Sequence, residues 1–279
     1  MATTPTALSD SPTRQLDTGT DKMLAHVAGG VGWMTFNQPN KRNAISFDMW
    51  TGIASIIKDF SGSDDVRVIV MTGAGDKAFV SGADISEFEE KRSTPEQIKI
   101  YEANSADAHQ AITTLEKPLI AMIRGFCIGG GLAIALSADI RISADDGQFG
   151  VPAAKLGLGY GYGGIKVLMN LVGPSMAKEI FFTGRRFSAD EAYDMGLINR
   201  IVPVDQLESS VTELAQMISA NAPLTVKAAK AAINEGVKDP TDRDLDAVAA
   251  MVKACFDSED YKEGRAAFME KRKPQFQGR

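Results

Sequence analysis

Two cysteines and two histidines among 279 residues leave little for thiol or metal chemistry. Cys127 and Cys255 are too few and too far apart for a disulfide framework or a zinc site. Neither H-E-x-x-H nor G-x-S-x-G occurs, which argues against zinc hydrolysis and a serine triad. No apolar run approaches the roughly 18 to 20 residues that span a bilayer. Positive charge is also scarce: 30 Lys and Arg against 36 Asp and Glu give a net charge of −6. That balance argues against general nucleic-acid binding, and an anionic cofactor would need a local basic patch. The opening stretch "MATTPTALSDSPTRQLDTGT" lacks an apolar signal core and sets Asp10 and Asp17 against a single arginine. It reads as part of a disordered leader, residues 1–22, on a cytoplasmic protein.

What is present is the composition of a soluble globular protein, 44% apolar and 24% charged. "MLAHVAGGVGWMTFN" reads as two short strands around a glycine turn. Ser46 then caps a helix in which Met49, Ile53, Ile56, Ile57 and Phe60 recur at helical spacing. "VRVIVMTG" is a buried strand. Thr94, Pro95 and Gln97 form the cap, first-position proline and capping-box partner of a helix reaching about Leu115. Strand "PLIAMIRG", helix "LAIALS" and strand "DIRISA" follow. A helix begins near Pro174, Ser188 and Glu191 make a second capping box closed by Gly196, and "LINRIVP" is a strand. Everything after Asp205 reads as helix, with Leu245, Val248, Ala249, Val252 and Phe256 in one apolar stripe. The expected organisation is an α/β core over residues 23–204 and a helical region over 205–279, without a linker.

Two segments share a layout. "AFVSGADI" and "GFCIGGGLAI" each run from an apolar strand through a glycine turn into a helix start. A first helical turn carries N–H groups without intrahelical partners. Two such ends converging make a two-donor pocket for a developing oxyanion; the bland alternative is a pair of ordinary strand–helix connections. "GYGYGG" matches the G-x-G-x-x-G pattern, but no good strand precedes it and no ribose-binding acid follows. A glycine-lined wall exposing Tyr160 and Tyr162 is the better reading. Either phenol can donate a hydrogen bond while uncharged at pH 7, or simply pack. His26 and His109 have no partner pattern, and Cys127 reads as an inert buried thiol. Asp84 and Glu87 form a first-turn acid pair, with Glu87 open to a role in the pocket. The tail "FMEKRKPQFQGR" sets Lys271, Arg272, Lys273 and Arg279 against Glu270, either a solvated end or a polyphosphate patch.

Together, "NQPNKRNAIS", "AFVSGADISEF", "GFCIGGGLAIALSADIRIS", "FGVPAAKLGL" and "FTGRRFSADEAYDMGLINRIVP" resemble the crotonase superfamily, the enoyl-CoA hydratase/isomerase family. The resemblance runs from Met23 to Arg279. It implies a spiral of ββα units, of the ClpP-like kind, with C-terminal helices that build trimers, usually paired into hexamers. It also implies an acyl-CoA substrate, CoA arriving as part of the thioester with no permanent cofactor or metal. By motif match the oxyanion-hole amides are those of Ala83 and Gly130. CoA contacts fall on Lys41, Arg42, Ala44 and Ala83, and on Phe268 and Lys271 of a neighbouring subunit.

The departures are as informative as the matches. The positions of the two hydratase glutamates hold Ala133 and Ala153, and the family's dehalogenase aspartate falls on Gly161. Within the family, the tail and "LGLGY" are most similar to methylmalonyl-CoA decarboxylases, whose active-site tyrosine matches Tyr160. Those enzymes keep an acid where this chain has Ala133 and a histidine where it has Ala83. Loss of CO₂ from a malonyl-type thioester generates its own electron pair and needs no general base. Three readings stand: a decarboxylase or related enolate-forming lyase, with Tyr160 as proton donor or orienter; a hydratase or isomerase whose acid has moved to Glu87; and a non-catalytic acyl-CoA binder.

Overall fold

The computed structural model describes residues 14–91 and 93–279. Two sheets organise it. The larger contains β1 (Arg14–Gln15), β2 (Met23–Ala28), β3 (Val31–Phe36), β4 (Val68–Gly73), β6 (Leu119–Ile123), β8 (Ile140–Ala144) and β11 (Arg200–Val202), in that spatial order. The smaller contains β5 (Ala78–Val80), β7 (Phe126–Ile128), β9 (Gln148–Gly150) and β10 (Phe187–Ser188), ordered β10-β9-β7-β5. From β3 to β11 the neighbours in the larger sheet run parallel, as do β5, β7 and β9 in the smaller.

The helices fall between these strands. They are α1 (Phe47–Gly62), α2 (Phe88–Lys91), α3 (Pro95–Thr113), α4 (Gly130–Leu136), α5 (Ala153–Leu156), α6 (Tyr162–Thr183) and α7 (Ala189–Asp194). Each turn of the chain therefore lays one strand in the larger sheet, one in the smaller and then a helix: β4, β5, α3, then β6, β7, α4. This is the expected ββα spiral. Parallel strands buried on both faces read as continuous apolar runs, and Val68, Ile69, Val70 and Met71 are fully buried, as are Leu119, Ile120 and Ala121.

Both predicted capping boxes are present, Thr94 with Gln97 at α3 and Ser188 with Glu191 at α7. The Ser46 cap is not. Ser46 precedes α1, but its Oγ is buried and has no hydrogen-bond partner. Glu87 supplies the acceptor instead, its Oε2 taking the Phe47 N–H at 2.9 Å.

Three further expectations need correction. The leader does not extend to residue 22: Arg14 and Gln15 pair with Val27 and His26, and the Arg14 guanidinium contacts Asp59, Ser63 and Asp65. Residues 1–13 of the proposed leader lie outside the described residues. The helix placed near Pro174 is only the second half of α6. Tyr162–Val172 form its first half, and Gly173 (φ 75°, ψ 165°) breaks the two apart. Finally, the chain after Asp205 is not helical to its end. Helices α8 (Leu207–Ser219), α9 (Pro223–Gly236), α10 (Leu245–Asp257) and α11 (Glu259–Glu270) are followed by an extended tail folded back on α11. Asp260, 3% exposed, accepts the Gln277 and Gly278 N–H groups, and Arg67 donates to the Phe276 carbonyl at 2.6 Å.

Candidate active site

Strands β5 and β7 are parallel neighbours, with Val80 opposite Cys127. Three residues beyond each lie Ala83 and Gly130, so the spiral delivers both candidate donors to the same edge by the same construction. Adjacent strands sit about 4.8 Å apart, a spacing that lets two amides share one acceptor.

The Ala83 amide is aimed by its neighbours. Ile45 forms a parallel bridge with Ala83, its N–H donating to the Gly82 carbonyl at 2.8 Å and its carbonyl accepting the Asp84 N–H at 2.9 Å. Extended backbone alternates direction from residue to residue, so the Ala83 N–H points away from Ile45. Gly82 makes the approach at φ 115°, a conformation that L side chains avoid.

The three consecutive glycines have three different causes. Gly129 adopts φ 57° and ψ −117° ahead of α4, and its N–H donates to Gly150 of β9 at 2.8 Å. Gly130 opens α4, so its N–H has no partner within the helix. Gly131 packs against β5, where an added methyl would lie 2.1 Å from the Val80 carbonyl oxygen. A methyl added to Gly130 would lie 3.9 Å from the Ala83 nitrogen, which sets the two candidate donors across a narrow gap.

Tyr160 closes one side. A methyl on Gly129 would come 4.0 Å from both the Tyr160 hydroxyl and Pro152 Cδ. The phenol is held edge-on against Phe181, with ring centroids 5.2 Å apart. Burial raises its pKa above the usual tyrosine range, so it is a neutral donor near pH 7. Tyr162, by contrast, begins α6 and is 72% exposed. Ala133 sits one turn into α4, its N–H bonded to the Gly129 carbonyl at 3.0 Å, and helical Cβ atoms tilt toward the N-terminus. Ala153, the first residue of α5, is buried beside Pro152.

The other candidates are placed as follows. Glu87 has both carboxylate oxygens engaged, one capping α1 and the other 3.4 Å from Lys22 Nζ. Lys41 is tied to Asp84 at 2.8 Å and to Ser86 Oγ at 2.8 Å, leaving half of its side chain in solvent. Arg42, in the left-handed region at φ 52°, lies over the Phe126 ring at 5.0 Å. Ala44 is buried, and its carbonyl accepts from Gln38 Nε2 at 2.9 Å. Phe268 is 82% exposed near the end of α11, and Lys271 forms that helix's left-handed C-cap. The basic tail is partly self-neutralised, since Arg272 pairs with Glu263 and Glu270. Cys127 is fully buried, and burial pushes its thiol pKa up, consistent with an inert group.

Asn43, not singled out from the sequence, and Asp84, expected only as a first-turn acid, both carry loop structure. Asn43 is fully buried at φ 55°; its Oδ1 accepts the Gln38 N–H, and its Nδ2 donates to the Ala74 and Ala78 carbonyls. Asp84 is 5% exposed and accepts from Lys41, Gln38 and Ser86. Burial opposes its ionisation, but the bonds from Lys41 and Ser86 outweigh that and hold its carboxyl below the usual range. An asparagine in a glycine-free turn was the available signal for the first. Asp84 and Lys41 are far apart in sequence, and nothing local joins them.

Comparison with known proteins agrees with this architecture. The sequence model of the enoyl-CoA hydratase/isomerase family matches residues 26–279. A short-chain-enoyl-CoA hydratase from Clostridium acetobutylicum is 40% identical over 91% of this chain and 96% of its own. A crotonyl-CoA hydratase from Syntrophomonas wolfei is 38% identical over 86% and 92%. Among solved structures, an enoyl-CoA hydratase/carnithine racemase from Magnetospirillum magneticum superposes with a TM-score of 0.88 at 37% identity, covering 95% of this chain and 97% of that one. An enoyl-CoA hydratase from Bacillus anthracis gives 0.84 at 32% identity, covering 93% and 100%. The family match over nearly the whole chain, the relatives' identity and the shared fold together show that the chain belongs to the enoyl-CoA hydratase/isomerase family, whose enzymes act on acyl-CoA thioesters.

Proposed function

We propose that this enzyme forms and protonates the enolate of a short acyl-CoA thioester, with decarboxylation of a malonyl-type substrate as the reaction its site suits best. The observation that carries this reading is the pairing of Ala133 and Ala153 at the two hydratase carboxylate positions, with Glu87 committed to Phe47 and Lys22. The Ala83 and Gly130 amides hold the thioester oxygen. When the substrate carboxylate lies out of the thioester plane, its C–C bond breaks, CO₂ departs, and the electron pair moves onto that oxygen as an enolate. Each amide contributes about 3 kcal/mol at that stage. The enolate collapses as its α-carbon takes a proton, which the neutral Tyr160 hydroxyl donates; solvent then reprotonates the phenolate. The likeness to methylmalonyl-CoA decarboxylases at the tail and at Tyr160 supports the same choice, while Ala133 and Ala83 depart from those enzymes.

Hydration of a short enoyl-CoA is the second reading, favoured by the names of the Clostridium and Syntrophomonas relatives. The deciding experiment incubates the enzyme separately with malonyl-CoA, methylmalonyl-CoA and crotonyl-CoA. Release of CO₂ from either of the first two, faster than any loss of the crotonyl chromophore, supports decarboxylation. Crotonyl-CoA turnover without CO₂ release overturns it in favour of hydration, and tight binding without turnover points to an acyl-CoA binder.

The proposal extends to assembly. On α10 and α11, Leu245, Phe256, Phe268 and Met269 are 60 to 82% exposed, an unusual apolar load for an isolated surface. We assign this face to a homotrimer, alone or paired into a hexamer. Phe268 and Lys271 would then meet CoA bound to a neighbouring copy.

A further inference from the structure

We propose that Asp84 is a positioning residue for the Ala83 amide, locking the loop Gln38–Ile45 and the oxyanion donor into one piece. This rests on the enolate reading above. The backbone of Ile45 grips the residues on either side of Ala83, at Gly82 and Asp84, with bonds of 2.8 and 2.9 Å. The Asp84 side chain then reaches back to the beginning of the same loop. Its Oδ2 accepts Lys41 Nζ at 2.8 Å and Gln38 Nε2 at 3.2 Å, while Oδ1 accepts Ser86 Oγ at 2.6 Å and the Ser86 N–H at 3.2 Å. Gln38 closes the circuit through Ala44, whose carbonyl it also binds. A residue directly after the donor is thus clamped by backbone on one side and by an ion pair on the other. Rotation of the Ala83 peptide would require breaking both sets.

Position and charge make opposite predictions here, which makes the inference testable. If Asp84 acted on the enolate only through its charge, removing that charge and leaving Lys41 cationic would strengthen enolate stabilisation. If it acts by position, the same change weakens it, and misplacement of a catalytic group by an ångström can cost about a hundredfold.

The probe is acetoacetyl-CoA, whose enolate absorbs in the near ultraviolet, titrated with pH on the wild type and on Asp84→Asn. CoA affinity is measured alongside. The expected result is an ionisation constant of the bound ligand about 10- to 100-fold less favourable in Asp84→Asn, read at saturating ligand so that any change in CoA affinity through Lys41 does not enter. An unchanged or more favourable ionisation overturns the inference. Absence of an enolate band in the wild type instead removes the enolate reading itself, and this inference with it. Ser86→Ala changes no charge and serves where Asp84→Asn does not fold. It is expected to weaken ionisation roughly two- to tenfold, and no shift in it counts equally against the proposal.

Discussion

Gly130 separates folding from chemistry more cleanly than any other residue at the site. An added methyl makes only ordinary contacts, the nearest being 3.9 Å from Ala83 N and from Gly82 backbone atoms. Alanine also suits a helix better than glycine. Yet that methyl would occupy the gap into which a thioester oxygen must pass. Gly130→Ala is therefore expected to keep or slightly raise the thermal midpoint while lowering kcat/KM by about 10²- to 10³-fold, as much as when an oxyanion donor cannot reach its acceptor. Calorimetry and initial rates on one preparation check both halves. Ala133→Glu tests the missing carboxylate: a positioned acid there should raise crotonyl-CoA hydration, measured by loss of the enoyl chromophore. Tyr160→Phe should slow product formation by about 10²- to 10⁴-fold if the phenol delivers the proton, and leave CoA affinity unchanged.

At the scale of elements, the lesson lies in how α1 and α4 are held. Ser46 was the legible cap, yet Glu87, forty residues downstream, receives the Phe47 N–H. Glu87→Ala should lower stability by roughly 0.5 to 2 kcal/mol, the range for a lost cap acceptor. Denaturant unfolding measures this, and unaltered turnover would show that Glu87 is no catalytic acid. Gly131→Ala should behave unlike Gly130→Ala, because its methyl would meet the Val80 carbonyl oxygen at 2.1 Å and α4 must shift. A destabilisation of about 1 to 3 kcal/mol is expected from such overpacking. Much at this scale was readable: apolar runs gave the parallel strands, and capping boxes marked α3 and α7. What was not readable depended on long-range pairing. The Gly173 break hid half of α6, because glycine-rich "GYGYGG" has poor helix propensity and only its surroundings decide the outcome. The two amides could be suspected from matching glycine turns, but only the Val80–Cys127 register explains why Ala83 and Gly130 lie close together.

For the whole molecule, the C-terminal region raises questions of assembly and of acid stability. Burial of the α10–α11 apolar face in a trimer predicts a sedimentation mass three or six times that of the 29.9 kDa chain. Phe256→Glu with Met269→Glu should shift it toward the monomer; a wild-type monomer would refute the assignment. The tail is anchored partly by Glu263, whose carboxyl is brought down to about 2 by Arg272 and the Gln275 N–H. Its folded value lies below its unfolded one, so the folded state binds fewer protons there and stability falls as pH drops. The contribution is full above the ordinary glutamate pKa near 4.3 and is lost as pH falls through about 2. Asp84 acts in the same direction. Urea unfolding between about pH 5 and pH 2 should show this acid-side loss, and Glu263→Gln should flatten part of it. The effect of Glu263 is modest because solvent screens the pair.

Isotope-edited infrared spectroscopy of a bound thioester tests the paired amides most directly. With butyryl-CoA labelled with ¹³C at the thioester carbon, polarisation by Ala83 and Gly130 predicts a carbonyl stretch displaced to lower frequency on binding. The displacement should be lost in Gly130→Ala. A bound carbonyl stretching where it does free in water, or one displaced equally in both proteins, would contradict an oxyanion hole at these two residues.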